Sequence, residues 1–255
     1  MKALVLAAGY GTRLYPLTTL TSKSLLTISG KPLVEHILMR IEELQGIEGL
    51  QGIKEIIIVT NNRFFPDFRN WLNSYGSGVK VRLINDMTNS NEDKLGAVGD
   101  IHFAVRSEGL DDDLLVIAGD NLFEFSLLGM YRFFREKRAS VVALHDLKDP
   151  GRAAGKFGIA EIDSDFRIVG FEEKPANPKS SLASTACYLF TKKDLAELER
   201  CIAAHQKPDN LGDFVKWLSA KTSIYGFVFG EKWFDVGSHE HLKEADAHFS
   251  GRKQK

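Results

Sequence analysis

The sequence has little of what marks disulfide-rich, metal-binding or membrane-spanning proteins. Only two of its 255 residues are cysteines, and neither Cys187 nor Cys201 has a CxxC neighbour or a metal-ligand spacing. Both are predicted to be reduced, packed thiols. No apolar run approaches the ~18 residues that a membrane helix needs. We therefore expect a cytoplasmic protein that has no membrane partner.

Charge of one sign is also not in excess. The chain carries 33 basic and 34 acidic side chains, which leave a formal net charge of −1. This balance predicts no nucleic acid as partner, because nucleic-acid-binding proteins carry clustered positive charge. The opening residues, MKALVLAAG, resemble a signal peptide only superficially, since the apolar run is about seven residues long and GYGTR stands where a cleavage site would be expected. These features favour a protein that handles small molecules.

Apolar, strand-like runs alternate with helical patterns before residue 150. Strands are predicted at 3–6, 53–60, 79–84, 113–118 and 140–145, and helices at 33–44, 64–75, 95–105 and 127–137. Strands that are apolar throughout are typical of a parallel sheet that is buried on both faces. The pattern predicts an α/β fold with a doubly wound, mostly parallel, Rossmann-like mixed sheet.

Short strands become more frequent after residue 150, and this half is expected to form a smaller, β-rich lobe. Strands are predicted at 158–163, 167–172, 185–190, 222–229 and 233–235, and helices at 194–204, 213–218 and 239–248. Residues 149–156 are rich in glycine and charge and are predicted to be a mobile connection. Residues 45–53 are interpreted as a loop insertion. We predict one domain, 1–249, with halves 1–148 and 149–249 and a frayed tail at 250–255.

A glycine-bearing loop follows the first strand and carries three cations. Residues 9–31 read GYGTRLYPLTTLTSKSLLTISGK and include Arg13, Lys23 and Lys31. Glycines let backbone N–H groups close on phosphates, and cations neutralise the phosphate charge. Arginine can fork onto two phosphate oxygens, whereas lysine is a compact point charge. The loop therefore predicts a triphosphate site.

Two better-known glycine loops fit this segment poorly. A dinucleotide-binding loop needs G-x-G-x-x-G, and Leu14 stands where the third glycine would be. A Walker loop needs G-x-x-x-x-G-K-[ST], which the chain does not contain. A nicotinamide-dependent dehydrogenase is therefore a weak alternative.

The loop resembles the opening motif of the sugar-phosphate nucleotidyltransferases, also called nucleotide-sugar pyrophosphorylases. The family motif is similar to GxGTRLxPLT, then PK, then GKP, and this chain departs from it at Ser22, where the family usually has proline. Other segments that resemble the family lie at 95–99, 119–121, 157–158, 172–175, 185–188 and 233–237. The chain departs from the family pattern at Ala97, where threonine is common, and at Ala186, where glycine is usual. It also departs at Asp100, just after the first of these segments, where a small residue is common. The short build is similar to the thymidylyl and uridylyl branches of the family.

The resemblance implies a nucleotide-binding half, 1–148, a sugar-binding half, 149–249, a set of site residues and a cofactor. Catalytic roles fall on Arg13 for the departing pyrophosphate, Lys23 for the α-phosphate and Lys174 for the sugar phosphate. Nucleotide-binding residues would be Ala8, Gly9, Gly11, Thr12 and Gly96. Sugar-binding residues would be Asn121, Gly158, Glu173 and Thr185. Asp120 and Asp235 would bind Mg²⁺, a hard ion that takes carboxylate, phosphate and water oxygens.

The resemblance implies a reaction that joins a sugar-1-phosphate to a nucleoside triphosphate and releases pyrophosphate. The implied partners are these two substrates, and a homo-oligomer is left open. The attacking phosphate is already anionic at neutral pH because its second pKa is about 6. The reaction therefore needs relief of charge repulsion and in-line positioning, and it needs no general base.

Other functions remain as alternatives. One is a cytidylyltransferase that acts on a non-sugar phosphate such as phosphocholine. Another is a non-catalytic regulator that binds nucleotide-sugars on the same fold. A zinc site of Asp235, His239 and His241 is disfavoured, because the two histidines would point in different directions on a helix.

Overall fold

A computed structural model of the chain describes residues 1–45, 52–205 and 210–251. The strands are β1 Lys2–Leu6, β2 Thr27–Ile28, β3 Lys31–Pro32, β4 Ile56–Thr60, β5 Val81–Asn85, β6 Leu114–Ala118, β7 Asn121–Phe123, β8 Val141–Asp146, β9 Gly158–Ile162, β10 Ile168–Glu173, β11 Leu182–Phe190, β12 Tyr225–Phe229 and β13 Trp233–Asp235. The helices are α1 Leu33–Glu42, α2 Phe65–Ser74, α3 Gly96–Ser107, α4 Leu127–Lys137, α5 Lys192–Leu195, α6 Leu198–His205, α7 Leu211–Ser219 and α8 His239–Gly251. None of the helices in this part of the chain is long and apolar enough to span a membrane.

The chain divides into two compact units. Unit 1 comprises Met1–Lys94, Ile117–Phe123 and the chain from Trp233 onward, and unit 2 comprises Leu95–Val116 and Glu124–Lys232. Both described ends of the chain belong to unit 1. The units therefore do not coincide with the halves 1–148 and 149–249, and the assignment of those halves to nucleotide and sugar stays a prediction.

Unit 1 is built on parallel strands. β1 pairs with β4 and β4 pairs with β5, all in parallel. Every residue of β4 is buried, as are the last four residues of β1, which explains why both strands are apolar throughout. α1 buries its residues at helical spacing, including Leu33, Ile37 and Ile41. The predicted α/β class with a mostly parallel sheet is confirmed, although β4 begins only at Ile56.

A two-stranded ribbon in unit 1 was not predicted in full. β7 pairs antiparallel with β13, so that Asn121 lies opposite Asp235. The sequence indicates β13 but not β7, because β7 has three residues and its partner is far along the chain. The ribbon brings the segment after β6 next to the segment before α8.

Unit 2 contains a mixed arrangement of strands. β11 is antiparallel to β8 and β9, β10 is antiparallel to β9, and β12 is parallel to β8. The single helix predicted at 194–204 is wrong: the segment forms α5 and α6. Thr191 caps α5 by accepting from the N–H of Asp194, so that this helix begins earlier and ends before Ala196.

Two segments predicted to be mobile or frayed contain regular structure, and their mobility stays a prediction. Residues 149–156, predicted to be a mobile connection, include a 3₁₀ helix at Pro150–Ala153, where Asp149 caps by accepting from the Gly151 N–H. The first two residues of the tail predicted from residue 250 belong to α8, which continues to Gly251. Residues 252–255, and most of the insertion predicted at 45–53, lie outside the described residues.

The buried carboxylate of Glu55 lies near the starts of the parallel strands β1, β4 and β5, among three cations. The Glu55 side chain is 9% exposed and forms ion pairs with Lys2 at 3.1 Å, Lys80 at 2.9 Å and Arg82 at 3.0 Å. Burial opposes ionisation of Glu55, but hydrogen bonds from Lys80 and Lys2 and the charge of Arg82 outweigh it and lower the pKa to about 2.

We expect Glu55→Gln to lower the free energy of unfolding by about 2 kcal/mol at pH 7, after allowance for solvent screening of the exposed cations. Because the folded-state pKa is depressed, the contribution is present above the unfolded-state pKa and is lost as the pH falls towards about 2. Urea unfolding at several pH values from 7 to 3 should show that the difference in the free energy of unfolding between the variant and the original protein becomes smaller as the pH falls. Glu43→Gln, which removes an exposed i,i+3 partner of Arg40, is the control and should change stability little. A constant difference at every pH would contradict the ion-pair explanation.

Candidate functional site

The phosphate loop of unit 1 is held by its own buried residues. Gly11 has a φ of 63°, and Leu14 is fully buried at the end of a 3₁₀ turn, Thr12–Leu14. Thr18 donates its hydroxyl to the Gly11 carbonyl at 2.7 Å, and a Cβ at Gly11 would lie 3.1 Å from the Thr18 methyl carbon. Glycine is therefore favoured at this position by both conformation and space. The turn leaves Thr12 and Arg13 exposed.

The preceding strand end is also ordered by a buried amide. Asn61 donates its side-chain N–H to the Ala8 carbonyl at 2.8 Å. Ala8 is buried, whereas Gly9 is exposed and has open space where a Cβ would stand. Of the predicted nucleotide-binding residues, Gly9 and Thr12 are thus exposed, Gly11 and Gly96 are half-buried, and Ala8 is buried.

Lys23 and Asp120 form an ion pair across unit 1. The Lys23 ammonium contacts Oδ2 of Asp120, and their side chains are 16% and 23% exposed. A Cβ at Gly119 would lie 2.5 Å from the Ser24 hydroxyl and 2.7 Å from the Leu6 carbonyl oxygen, so only glycine fits before Asp120. The short helical turn that begins at Lys23 and the end of β6 are therefore packed closely enough to join the two charges.

Asp235 joins this pair through the ribbon. The Val236 N–H donates to the Asp120 carbonyl at 3.0 Å. Burial, with the neighbouring Asp120 carboxylate, raises the pKa of Asp235, while the charges of Lys23 and Arg13 oppose the rise. A Cβ at Gly237 would lie 3.4 Å from a terminal nitrogen of Arg13. The structure thus brings together four predicted residues, Arg13, Lys23, Asp120 and Asp235.

The donor set here suits a hard cation. Across residues 1–45, 52–205 and 210–251, no group of three or more His, Cys, Asp or Glu side chains is placed to hold a metal ion. Two carboxylates that destabilise each other would still gain from a shared divalent cation, whose other ligands could be phosphate and water oxygens. Asp120 and Asp235 therefore fit magnesium.

The two histidines of the disfavoured zinc site contact backbone carbonyls. A ring nitrogen of His239 lies 3.0 Å from the Tyr15 carbonyl oxygen, and a ring nitrogen of His241 lies 2.8 Å from the Asp235 carbonyl oxygen.

A second cluster lies in unit 2 around Glu173. A Cβ at its strand partner, Gly158, would lie 2.8 Å from Oε2 of Glu173 and 2.6 Å from the Phe171 ring, and a Cβ at Gly212 would overlap the same oxygen. The carboxylate thus lies between two glycines. Burial raises the pKa of Glu173, the charge of Lys174 lowers it and that of Asp213 raises it.

Lys174 lies beside this carboxylate in an unusual conformation. Its ammonium is 3.7 Å from Oε1 of Glu173, and the side chain is 49% exposed. Its φ is 47°, and its N–H donates to the Phe157 carbonyl at 3.1 Å. A lysine held at positive φ indicates that the surrounding turn determines where its charge lies.

The remaining predicted residues occupy separate positions. Gly96 opens α3 in unit 2 with a φ of 77°. Asn121 is buried in unit 1, and its Oδ1 accepts from the Trp233 indole N–H at 2.5 Å. Thr185 is buried in unit 2 and donates its hydroxyl to the Ala143 carbonyl at 3.1 Å. Their contacts with substrate stay predictions.

Two further positions differ from the sequence-based expectation. Lys31, the third cation of the loop, directs its ammonium at the Met39 sulfur, 3.5 Å away. It thus does not join the pair formed by Lys23. Ala186 has a φ of 53°, which explains why glycine is usual there: the backbone needs the left-handed region.

Sequence reasoning missed two contributors to these clusters, Gly212 and the carbonyl contact of His239, and it included Gly237 only as the end of the 233–237 motif. Gly212 lies in the first turn of α7, just before the helix predicted at 213–218, and a glycine within a helix usually has a packing reason. Gly237 and His239 act through contacts with residues more than two hundred positions away, which no local pattern encodes.

The parallel sheet and the cluster of two cations and two carboxylates in unit 1 define an α/β protein with a charged candidate site. The chain belongs to the nucleotidyl transferase family, whose model matches residues 2–251. The family resemblance inferred from the motifs is thereby confirmed.

Relatives of known sequence share this region. The chain is 29% identical over 246 residues to the bifunctional protein GlmU of Methanocaldococcus jannaschii, covering 96% of this chain and 53% of the relative. It is 28% identical over 252 residues to GlmU of Methanococcus aeolicus, covering 97% of this chain and 54% of the relative. The chain therefore spans about half the length of the curated relatives it matches.

Solved structures agree on the fold. A Bacillus anthracis protein assigned as a glucose-1-phosphate thymidylyltransferase, in complex with sucrose, superposes with a TM-score of 0.79 at 26% identity, covering 98% of this chain and 95% of that one. A UDP-glucose pyrophosphorylase complexed with UDP-glucose gives a TM-score of 0.82 at 21% identity, covering 98% of both chains. The second likeness supports the fold alone.

We expect Ser22→Ala to raise the free energy of unfolding by about 1 kcal/mol, because a buried hydroxyl without a partner is costly. Ser22 is 1% exposed, and its Oγ has no hydrogen-bond partner within the described ranges. Urea unfolding measures the change. Ser126→Ala is the opposite control: Ser126 caps α4 by accepting from the Gly129 N–H, and its loss should cost about 1 kcal/mol. Destabilisation by Ser22→Ala would mean that its hydroxyl is satisfied.

We expect Gly158→Ala to destabilise the chain by about 1–3 kcal/mol, because the added methyl group would force the buried Phe171 ring and the Glu173 carboxylate to move. Thermal and urea unfolding measure the loss. Gly230→Ala, where the added carbon meets nothing within 4 Å, should remain near the original stability. Equal behaviour of the two variants would contradict close packing around Glu173.

Proposed function

We propose that this enzyme transfers a nucleotidyl group from a nucleoside triphosphate to a sugar-1-phosphate, giving a nucleotide-sugar and pyrophosphate, with Mg²⁺ as cofactor. The observation that carries the proposal is the convergence in unit 1 of Arg13, Lys23, Asp120 and Asp235. Family membership supports a nucleotidyltransferase that acts on a sugar-1-phosphate. A hexose-1-phosphate is the sugar substrate we favour.

The proposed reaction joins two anions, so charge is the main obstacle. The sugar phosphate attacks the α-phosphorus, its oxygen forms the new bond, and pyrophosphate leaves with the electrons of the broken bond. No proton has to be removed from the nucleophile. The catalytic task is to neutralise charge and to align the reacting atoms.

Lys23 and Arg13 have distinct proposed roles. We assign Lys23 to the α-phosphate, because it is the more buried cation and a compact charge suits one oxygen. We assign Arg13 to the departing pyrophosphate, because its exposed guanidinium can bind two oxygens at once. Ala8, Gly9, Gly11, Thr12 and Gly96 are proposed to contact the nucleotide.

Asp120 and Asp235 would hold the magnesium ion. When bound, the ion would supply positive charge that polarises the phosphate oxygens. The charges of the site support a requirement for this ion. Lys23 is already paired with Asp120, and a bound triphosphate would add negative charge that needs a further cation.

Unit 2 residues are proposed to bind the sugar phosphate. We assign Lys174 to the phosphate and the carboxylate of Glu173 to sugar hydroxyls, and Gly158 leaves the space in which that carboxylate lies. Asn121 and Thr185 are proposed as further sugar contacts. The choice of a sugar phosphate over phosphocholine rests on this assignment of Glu173 and on family membership.

The test is a panel of dTTP, UTP, CTP and GTP, each with glucose-1-phosphate, other hexose-1-phosphates or phosphocholine. Pyrophosphate release is measured with Mg²⁺ and with a chelator. Release that requires both a sugar phosphate and Mg²⁺ supports the proposal. Release with phosphocholine alone indicates the cytidylyltransferase alternative, release without an acceptor indicates hydrolysis, and nucleotide-sugar binding without release indicates a regulator.

We expect Lys23→Ala and Asp120→Asn each to lower kcat by about 10²-fold or more, because each removes a charge assigned to the transition state. Lys243→Ala removes an exposed lysine of α8 and serves as the control. Steady-state kinetics and circular dichroism are measured together. Loss of folding in either site variant, or unchanged turnover, would contradict the assigned roles.

A further inference from the structure

We propose that His239 is a positioning residue that holds the phosphate loop, and through it Arg13, in place for pyrophosphate. The proposal rests on the proposed function and names a residue of that same site. His239 is the first residue of α8 in unit 1. From the sequence alone it was considered only as a disfavoured zinc ligand.

The contact is a single hydrogen bond from a side chain to the loop backbone. Nε2 of His239 lies 3.0 Å from the Tyr15 carbonyl oxygen. A carbonyl oxygen can only accept, so Nε2 carries the proton and donates. Tyr15 follows Arg13 by two positions, and the bond therefore fixes the loop next to the residue that carries its exposed charge.

The loop depends on such contacts because few of its side chains are buried. Tyr15 and Leu17 are each 45% exposed and Leu20 is 87% exposed, whereas Leu14 and Thr18 are fully buried. Exposed turns with few packed side chains are among the easiest parts of a fold to open. A bond to Tyr15 anchors the stretch between the two buried residues.

A parallel contact aligns Arg13 with the same segment. A Cβ at Gly237 would lie 3.4–3.6 Å from the atoms of the Arg13 guanidinium. Arg13 thus lies against Gly237, and Tyr15 is bonded to His239. Arg13 and Tyr15 of the loop therefore contact Gly237 and His239, respectively, on the segment that follows Asp235. This segment supports the loop at both positions.

α8 is attached to unit 1 independently at its other end. Asp246 accepts from the Ser29 N–H at 2.7 Å. The Phe249 ring lies 5.2 Å from the His36 ring and 6.2 Å from the Phe234 ring. Loss of the His239 bond should therefore free the loop without releasing the helix, which separates positioning from general stability.

The first experiment compares His239→Ala with His239→Gln, whose side-chain amide can still donate. Michaelis constants are measured for pyrophosphate in the reverse direction and for both substrates in the forward direction. We expect His239→Ala to raise the KM for pyrophosphate about three- to tenfold, the equivalent of one neutral hydrogen bond. The KM for the sugar-1-phosphate should stay unchanged, and His239→Gln should recover part of the loss.

The control is Glu240→Ala, which alters the next, exposed residue in the first turn of α8 without removing the donor. It should leave the KM for pyrophosphate unchanged. A fall in Tm accompanied by equal changes in every KM would indicate a merely structural role and overturn the proposal, as would an unchanged KM for pyrophosphate in His239→Ala.

A double-mutant cycle tests whether His239 acts through Arg13. If it does, His239→Ala should have little further effect in an Arg13→Ala background. Equal effects in both backgrounds would overturn the proposal.

Hydrogen exchange separates this proposal from the proposed function. His239→Ala should speed amide exchange in residues 11–19 while α8 keeps its protection. If the original protein releases no pyrophosphate with any acceptor and runs no reverse reaction, the proposed function fails. Unchanged exchange in the loop means that the positioning proposal fails, whatever the activity.

Discussion

The arrangement of unit 1 depends on one electrostatic constraint: two carboxylates lie close together and must be balanced. Asp120 and Asp235 are adjacent because β7 and β13 pair, and burial with the charge of Asp120 raises the pKa of Asp235. Lys23 and Arg13 offset the repulsion. Two carboxylates held this close are costly unless positive charge balances them, so the cluster is suited to a site that accepts a cation and anionic phosphates.

The glycines near these charges have separate physical reasons. Gly119 is required by space, since Ser24 and Leu6 leave no room for a Cβ beside Asp120. Gly11 combines a positive φ with close contact to Thr18. Gly237 offers a flat surface on which the Arg13 guanidinium lies. Each glycine thus allows a charged neighbour to occupy its position, which links the composition of the motifs to the charge cluster.

Much of the fold could be predicted from the sequence where local pattern and tertiary environment agree. The buried strands of the unit 1 sheet are apolar throughout, and α4 was predicted with the bounds it has, Leu127–Lys137. Prediction failed where a single residue overrides the pattern. Thr191 starts a helix that divides the predicted 194–204 segment, and β7 is too short to show a period. The composition of the two units also depends on pairings between distant segments, which periodicity does not encode.

The candidate site divides in the same way. Arg13, Lys23, Asp120 and Asp235 were found because motif residues carry chemistry that their neighbours do not share. Lys31 looked equivalent to Lys23 by charge and by motif, yet it contacts Met39. The two lysines differ in the backbone that carries them. The turn that follows Ser22 places the half-buried Lys23 against Asp120, whereas Lys31 is exposed on the short strand β3. A cation becomes part of a charge cluster through the backbone that carries it. For this reason the loop, and the side chains that hold its backbone, determine the site as much as the charged residues themselves.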